Sequence, residues 1–388
     1  MGAVFVTDAQ QRKSLAVIRS LGRRGISVTA GDSSSFALSF FSKYCSQSVV
    51  YPSPKKKPEL FIEWLIDYLK SSSYDVLLAT DDDSLMAVTR FRDDLSRYTL
   101  VPVVDYGTYM KARNKANTIK IALKHGIPCP KTYFVNDLKE VEVLADHISY
   151  PAVIKPRKSS GSRGIFYMES GNVLYSVYRR VHNEYPYPLI QELIPPGGAT
   201  YGVSTLFNAK SEPRAVFVHQ RIREFPPSGG PSTLRESVSK PELVELAFKL
   251  LRALKWYGVA MVEFKIDPRD GKPKLMEVNS KFWGSLQLAI CSGVDFPYLL
   301  YKMARERDIE PVFKYEVGVR CRWLLGDVLH FIFSPGRLQT LPEFFKILDK
   351  NTHFDILSME DPGPALGSFF SFSTRFFHQK MWKDVMRR

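Results

Sequence analysis

The sequence predicts a mixed fold, α/β at the N-terminus and α+β in the centre of the chain. Residues 1–110 alternate between short apolar strand patterns and amphipathic helix patterns, which is typical of a parallel sheet with right-handed helical crossovers. Residues 152–279 contain runs of strands with few helices, which indicates antiparallel pairing. A last segment, residues 311–388, is rich in Phe and Trp and ends in a basic stretch.

The N-terminal part begins with a strand, Ala3–Thr7, a helix, Gln11–Gly22, and a second strand, Ile26–Ala30. A further helix, strand and helix follow at Phe61–Leu69, Val76–Ala79 and Ser84–Arg92. This order predicts a Rossmann-like arrangement in residues 1–112. The GxGxxG fingerprint is absent, so no NAD binding is inferred.

The central part begins near Asn114 with a helix, Lys115–His125, which ends at a glycine followed by two prolines. Two strands, Ala152–Lys155 and Leu189–Leu193, follow, with a Gly/Ser loop after the first. Further strands, a helix and a hairpin are predicted at Gly202–Phe207, Arg214–Val218, Glu242–Leu254, Val259–Ile266 and Lys274–Asn279. The predicted divisions of the chain are residues 1–112, 113–188, 189–310 and 311–388.

Composition and charge restrict the kinds of partner and the classes of protein that the sequence supports. The 388 residues carry 54 Lys and Arg against 40 Asp and Glu, a net charge of +14, so nucleotide phosphates, acidic metabolites, nucleic acid and a membrane surface are all considered as partners. No RRM, KH or zinc signature supports a nucleic-acid binder. Four widely spaced cysteines without a CxxC motif argue against a disulfide framework and a structural zinc. Without a signal-peptide pattern or ~18 consecutive apolar residues, a soluble, cytoplasmic protein is expected.

Three oxygen-bearing side chains in the predicted hairpin form the strongest chemical signal. Glu277 and Asn279 are two residues apart and therefore face the same side of a strand. The hairpin turn can bring Glu263 beside them. Mg²⁺ prefers hard oxygen ligands, one or two carboxylates together with substrate phosphates. The alternative interpretation is a solvated strand face, on which acidic residues are ordinary.

Two lysines and a glycine loop are candidates for binding phosphate. Lys155 ends an apolar strand, where its ammonium can reach the mouth of a cleft as a point charge, and Lys115 near a helix start is a second cation. Backbone N–H groups of the loop can approach phosphate closely because glycine has no Cβ. The candidate loop residues are Ser160, Gly161, Ser162 and Gly164. Surface lysines and a mobile loop are the alternative interpretations.

A short strand end can read the edge of a purine base through its backbone. Four residues end an apolar strand just before a Pro-Gly turn: Gln191, Glu192, Leu193 and Ile194. Backbone N–H and C=O groups there can pair with the donor and the acceptor of adenine. Alone, this signal is weak.

Two further charged groups are candidates for binding the substrate. Arg221 and Arg223 alternate on one face of a strand that enters a glycine loop, and arginine pairs bind carboxylate or phosphate in fork geometry. A basic strand edge that discourages aggregation is an equally good explanation. In the N-terminal part, Asp81, Asp82 and Asp83 follow a strand and can receive a cationic amine or cap a helix.

The candidate elements occur in one order: a lysine, a strand lysine, a glycine loop, a Gln-Glu strand and a carboxylate hairpin. In this order the chain resembles the ATP-grasp superfamily, and within it the carboxylate–amine ligase branch related to the carbamoyl-phosphate synthase large chain and biotin carboxylase. The resemblance covers roughly residues 1–305. It implies a Rossmann-like N-terminal domain, an ATP-grasp fold of two subdomains and a C-terminal extension.

The resemblance implies roles for the same residues. Lys115 and Lys155 look like paired lysines that contact ATP phosphates, and Glu192 with the backbone through Ile194 looks like the adenine hinge. The glycine loop resembles a phosphate-covering loop, and the three hairpin side chains match ligands of Mg²⁺ or Mn²⁺. Two positions depart from the family pattern. Thr200 lies in the stretch where many relatives carry an acidic ribose ligand, and Lys281 stands where many carry Arg, which keeps the charge but loses bidentate geometry.

The implied function is ATP-dependent ligation. A carboxylate attacks the γ-phosphate of ATP to give an acyl phosphate and ADP, and an amine then displaces phosphate. The candidate catalytic residues are Lys155, Arg221, Arg223 and Lys281. Small-molecule carboxylate and amine substrates are implied, and a homodimer is common among relatives. An ATP-grasp kinase or carboxylase with another acceptor is the alternative, followed by a non-enzymatic, nucleotide-dependent nucleic-acid binder.

Overall fold

The computed structural model describes residues 2–159, 164–227, 229–334, 344 and 350–368. These residues form three β-sheets with helices packed against them. The predicted combination of α/β and α+β architecture is therefore confirmed. Over the same residues, every helix is too short or too polar to cross a membrane.

The N-terminal sheet is parallel, as predicted, with the strand order β3-β2-β1-β4. Its strands are β1 (Ala3–Val6), β2 (Ser27–Asp32), β3 (Gln47–Val50) and β4 (Val76–Leu78). Its helices are α1 (Arg12–Gly22), α2 (Pro58–Lys70), α3 (Asp82–Arg90), α4 (Arg92–Leu95) and α5 (Tyr106–Arg113). Helices on both faces bury β1 completely from Val4 to Val6. The sequence does not predict β3, because it is a short strand at the exposed edge with only weak apolar character.

A second, smaller sheet is antiparallel and has the order β5-β8-β6-β7. Its strands are β5 (Thr132–Phe134), β6 (Ala152–Lys155), β7 (Phe166–Met168) and β8 (Leu189–Glu192). The helices of this region are α6 (Lys115–Lys124), α7 (Leu138–Leu144) and α8 (Leu174–Glu184). The sheet has an apolar core of its own, which includes Ile154, Tyr178 and Ile190.

The third sheet has seven strands in the order β13-β12-β9-β10-β11-β14-β15. Its strands are β9 (Thr200–Phe207), β10 (Pro213–Glu224), β11 (Ser232–Ser237), β12 (Gly258–Ile266), β13 (Pro273–Asn279), β14 (Arg320–Arg322) and β15 (Thr352–Phe354). Its helices are α9 (Pro241–Ala253), α10 (Leu286–Cys291), α11 (Phe296–Glu306) and α12 (Leu324–Phe333). Neighbouring strands are antiparallel except for β14 and β15, which are parallel. The chain after residue 310 thus extends this sheet.

The N-terminal sheet and the seven-stranded sheet share their apolar cores. Phe61 and Leu77 from the first belong to one buried cluster with Phe207 and Trp256 from the second. Burial of this kind is the main stabilising contribution in folding. The two sheets therefore form one packed body, against which the smaller sheet stands with a separate core.

The C-terminal segment, residues 350–368, returns to the N-terminal sheet layer. Asp361 is 1% exposed and accepts hydrogen bonds from Arg19 Nε at 2.8 Å, from Ser42 Oγ at 2.7 Å and from the Lys43 backbone N–H at 2.9 Å. The neighbouring Glu360 forms an ion pair with Arg23 at 2.9 Å. These contacts fasten the end of the described chain to α1 and to the loop before β3.

We expect Asp361→Ala to destabilise this region, because it leaves Arg19 charged and buried without its partner. Breaking a buried ion pair is expected to lower the free energy of opening by about 3–5 kcal/mol. Amide hydrogen exchange of α1 measures this free energy for the region around Arg19. Asp67→Ala, which removes an exposed ion pair with Lys70, is the matched control and is expected to change the free energy of opening by less than about 1 kcal/mol. Equal effects of the two variants would contradict this expectation.

Candidate functional site

The three sheets meet around a cleft with a volume of about 540 Å³. Residues from β6 and β8 line one side, residues from β9, β10, β12 and β13 line the floor, and residues at the start of α1 line the far wall. Most of the residues singled out from the sequence lie on this lining.

Glu263 and Glu277 lie directly opposite each other on β12 and β13, and Asn279 follows on the same strand. A β-bulge interrupts the register immediately after Glu263, and bulges often occur beside functional sites, where they redirect side chains. All three residues line the cleft. The structure thus brings together the three side chains that the sequence suggested as metal ligands.

Each of the two carboxylates is held by a cation from another element. Arg221 forms an ion pair with Glu263, and Lys115 Nζ lies 3.2 Å from Glu277 Oε2. Burial, together with the facing Glu277, raises the pKa of Glu263 in spite of Arg221. For Glu277 burial acts in the same direction, but the neighbouring cations Lys115, Arg221 and Lys155 together outweigh it and lower the pKa.

The donor set fits a hard divalent cation. Two carboxylates side by side, one buried and one half-buried, repel each other, and a cation between them relieves that repulsion. Two carboxylates and an amide oxygen leave further positions for phosphate oxygens, as Mg²⁺ requires. Across the part of the chain that the structure describes, no cluster of three His, Cys, Asp or Glu could hold a metal without such additional ligands.

Lys155 ends β6 and is positioned by Gln191. Its Nζ donates a hydrogen bond to Gln191 Oε1 at 2.8 Å, and Gln191 Nε2 donates to Thr132 Oγ1 at 2.9 Å. Burial and repulsion by Lys115 lower the pKa of Lys155 to about 8. Gln191 is itself 2% exposed. It therefore supports the lysine, whereas the sequence suggested that it contacts a nucleotide.

The glycine loop is only partly described. Ser160, Gly161 and Ser162 lie outside the described residues. Lys115 Nζ donates to the Ser159 carbonyl at 2.7 Å, which links this lysine to the start of the loop. Gly164 at the other end has φ +71°, and a Cβ there would come within 2.7 Å of Pro156 and Tyr185 side-chain atoms. A glycine is required at that position for both reasons.

The strand end proposed as a hinge lines the cleft with Glu192, Leu193 and Ile194. The Leu193 N–H donates to the Pro151 carbonyl at 3.2 Å, and the Ile194 carbonyl accepts from Lys265 Nζ at 3.0 Å. Both groups thus have partners within the protein. Thr200 lines the cleft nearby, at the start of β9.

The two arginines of β10 do not share one face in the way the sequence suggested. A register shift between them leaves one residue unpaired. Arg221 lines the cleft, whereas Arg223 Nε and Nη2 bind the fully buried Asp327 of α12 at 2.8 and 3.0 Å. A bulge cannot be read from an alternating sequence pattern, which explains the difference.

Lys281 closes the cleft against the N-terminal sheet. Its ammonium contacts Asp82 and lies 3.2 Å from Asp81 Oδ1, while Lys13 Nζ lies 2.7 Å from the same Asp81 oxygen. The Asp81 side chain makes no capping hydrogen bond to α3. The partners that the structure shows for Asp81 and Asp82 are therefore two lysines of the protein.

Several residues of the lining were not singled out from the sequence: Arg12, Lys13, His219, Lys265, Trp283 and Ser285. Arg12 and Lys13 begin α1 just after β1, at the carboxyl end of a parallel strand, which is where α/β sheets bind ligands. That position was a usable signal. His219 is buried, and its pKa falls to about 3 because of burial and the nearby Arg221, so the ring is neutral.

Comparison with known proteins gives consistent matches. A family model described as "ATP-grasp in the biosynthetic pathway with Ter operon" matches residues 209–326, and a "RimK-like ATP-grasp domain" matches residues 112–199. A D-aspartate ligase from Enterococcus faecium is 24% identical over 266 residues, which are 62% of this chain. The chain spans 61% of the length of that relative.

Two solved structures share the fold. The L-amino acid ligase from Bacillus licheniformis superposes with a TM-score of 0.62 at 17% identity, over 80% of this chain and 78% of that chain. The biotin carboxylase domain of the Hydrogenobacter thermophilus 2-oxoglutarate carboxylase, solved as a dimer with MgADP, ADP and bicarbonate, superposes with a TM-score of 0.66 at 16% identity, over 82% and 73%. Both family models describe ATP-grasp domains, so the central part of the chain, residues 112–199 and 209–326, is identified as ATP-grasp, and the two structures share its fold.

Proposed function

We propose that the protein is an ATP- and Mg²⁺-dependent carboxylate–amine ligase that forms an amide or peptide-like C–N bond and releases ADP and phosphate. The observation that carries this proposal is that Glu263 and Glu277 meet Lys115, Lys155 and Arg221 around one cleft. The D-aspartate ligase and the L-amino acid ligase among the similar proteins support a carboxylate and an amine as substrates.

The cleft offers a place for each part of ATP. The strand end Glu192–Ile194 would hold the adenine, Thr200 would lie near the ribose, and Lys155 and Lys115 would bind the triphosphate. Glu263, Glu277 and Asn279 would hold Mg²⁺, or Mn²⁺ in its place. Such an ion supplies positive charge against the transferred phosphoryl group.

The chemistry proceeds in two steps. In the first, a carboxylate oxygen of the substrate forms a bond to the γ-phosphorus of ATP, and the bond from that phosphorus to the β–γ bridging oxygen breaks, giving an acyl phosphate and ADP. Lys155 and Lys115 stabilise the negative charge that moves onto ADP. In the second, the amine nitrogen bonds to the acyl carbon, the carbon–oxygen bond to phosphate breaks, and the ammonium proton passes to phosphate or water.

The remaining cations take different roles in this proposal. Arg221 lies beside Glu263 and is placed to bind the acyl phosphate. Lys281 holds Asp81 and Asp82 at the cleft wall. Arg223 is occupied by Asp327, so we do not give it a role at the reacting atoms.

We also propose a division of the chain into domains. Residues 1–112 form the N-terminal domain, residues 113–188 the subdomain with the phosphate loop, residues 189–310 the subdomain with the metal-binding hairpin, and residues 311–388 the extension. A homodimer is the assembly to test, since the carboxylase domain described above was solved as a dimer.

Nucleotide binding is expected to depend on Glu277. Glu277→Gln removes a metal ligand and the partner of Lys115, and we expect it to weaken MgATP binding by about 10-fold or more, as lost metal ligation or second-sphere support does elsewhere. Calorimetric titration with MgATP measures this, and EDTA should abolish the difference between the variants. Glu245→Gln, an exposed change on α9, is the control. Equal affinity of Glu277→Gln and the unchanged protein would refute the metal assignment.

The acyl phosphate is expected to be trapped by hydroxylamine. With MgATP and a suitable carboxylate, hydroxylamine takes the place of the amine and gives a hydroxamate together with ADP, whereas a kinase acting on a hydroxyl gives ADP without hydroxamate. Lys155→Gln should lower the rate by about 100-fold or more, as loss of a group that stabilises transition-state charge does, and the exposed Lys139→Gln should not. ADP release with bicarbonate alone would favour the carboxylase alternative.

A further inference from the structure

A cluster of three charged side chains behind the cleft contains more positive than negative charge. Asp355, just after β15, forms ion pairs with both Arg12 of α1 and Arg235 of β11. Arg235 is completely buried and Asp355 is 2% exposed. We call these three residues the Asp355 cluster. Two guanidinium groups share one carboxylate, so the cluster carries one unbalanced positive charge.

Among the residues that the structure describes, the neighbouring groups do not cancel that charge. The Cys321 thiol donates to Asp355 at 3.2 Å, and burial and the adjacent carboxylate raise its pKa, so it is protonated. The His219 ring beyond Arg235 is neutral, as described above. Glu263 and Glu277 are already paired with Arg221 and Lys115. The positive charge of the Asp355 cluster therefore remains.

The charged groups at the opposite corner of the cleft differ from the Asp355 cluster. There, Lys13 and Lys281 face Asp81 and Asp82, two cations for two carboxylates, with the buried Asp8 behind them. The two lysines and the two aspartates that they contact balance each other without a ligand, and burial raises the pKa of the third carboxyl, Asp8. A buried charge without compensation costs several kcal/mol, so the surplus of the Asp355 cluster calls for an anion where the cluster reaches the cleft.

Arg12 is the member of the cluster that reaches the cleft. Its side chain is 19% exposed and belongs to the lining. Trp323 stacks on the guanidinium at 4.0 Å from the ring centroid, and Nη2 lies only 3.9 Å from the place that a Cβ would occupy on Gly284. Asp355 and Trp323 thus fix the orientation of Arg12 before any ligand arrives, which lowers the ordering cost of binding.

We propose that Arg12 binds a second anionic group of the acyl substrate, one that does not react, and that Asp355 positions Arg12 for this contact. The substrate is then a small acid with two anionic groups, either a dicarboxylic acid or a carboxylic acid that carries a phosphate. The inference rests on the proposed function. The reacting carboxylate belongs near Glu263, where Arg221 already stands, whereas Arg12 enters from the N-terminal wall beside Gly284.

The test measures ADP and hydroxamate formation with MgATP, hydroxylamine and single acids. Each dianionic acid is paired with a monoamide or dephosphorylated analogue of the same shape. The pairs are succinate with succinamate, D- and L-aspartate with the corresponding asparagine and isoasparagine, and O-phosphoserine with serine. At least one dianionic acid is expected to react at least about 10-fold better than its partner, the factor for a charged hydrogen-bonded contact. Comparing the aspartates with O-phosphoserine distinguishes a second carboxylate from a phosphate.

Variants assign the preference to Arg12. Arg12→Gln should raise KM for the dianionic acid about 10- to 100-fold and leave KM for MgATP and the kinetics of the monoanionic analogue within about 3-fold, a change near the error of such differences. Arg12→Lys keeps the charge and should recover part of the loss. Asp355→Asn should raise KM for the dianionic acid without changing KM for MgATP. Arg97→Gln, on the exposed surface, is the control, and thermal unfolding verifies that each variant is folded.

Three outcomes would overturn the inference: no preference for any dianionic acid, an unchanged KM in Arg12→Gln, or equal shifts of both KM values in Asp355→Asn. If MgATP binds in calorimetry while none of the acids gives ADP, the substrate class is wrong and the nucleotide site stands. If MgATP does not bind at all, the proposed function itself fails.

Discussion

The site depends on two carboxylates that face each other across one antiparallel strand pair. Glu263 and Glu277 are brought together by a short hairpin, and like charges at such a distance are stable only when cations surround them. Arg221, Lys115 and Lys155 supply that charge from three other elements. The mutual repulsion of two acids therefore organises the basic residues around the cleft, and it makes the same place attractive to a metal-bound triphosphate.

The charged groups of the cleft belong to two parts of the fold with separate apolar cores, which we call two bodies. The carboxylates belong to the seven-stranded sheet, which shares its core with the N-terminal sheet. Lys155 and the strand end Glu192–Ile194 belong to the small sheet with its separate core. The contact between Lys115 and Glu277 connects the two. In the proposed function nucleotide phosphates replace the carboxylate as partner of Lys115, so binding changes one of the contacts between the two bodies, while the bond from Lys265 to the Ile194 carbonyl is another.

Features formed by residues that are close together in the sequence could be predicted from local sequence patterns. The hairpin turn at Asp267–Gly271 determines that Glu263 meets Glu277, and the apolar run before Lys155 determines where that lysine emerges. The parallel N-terminal sheet follows from the alternation of strands and helices in the same way. Each of these features is built from elements that follow one another in the chain, such as a hairpin or a strand–helix–strand unit.

Features that depend on distant packing could not be predicted. The bulge that separates Arg221 from Arg223 is invisible in an alternating pattern. Gln191 supports Lys155 because β6 and β8 are adjacent, although 36 residues separate the two. The contact of Arg12 with Asp355 spans 343 residues. Pairings over such separations are decided by the assembled fold, which local propensity does not encode.

The parallel strand β15 brings a segment that neither matched family model includes to a place behind the cleft wall, since those models end at residues 199 and 326. The residues proposed to bind the nucleotide and the group behind Arg12 consequently lie in separate stretches of the chain. Exchange of the stretch around Asp355 between related proteins could change which acid is accepted, while the residues proposed to bind phosphate stay the same. The choice of acid can then change through substitutions around Asp355, independently of the residues proposed to bind ATP.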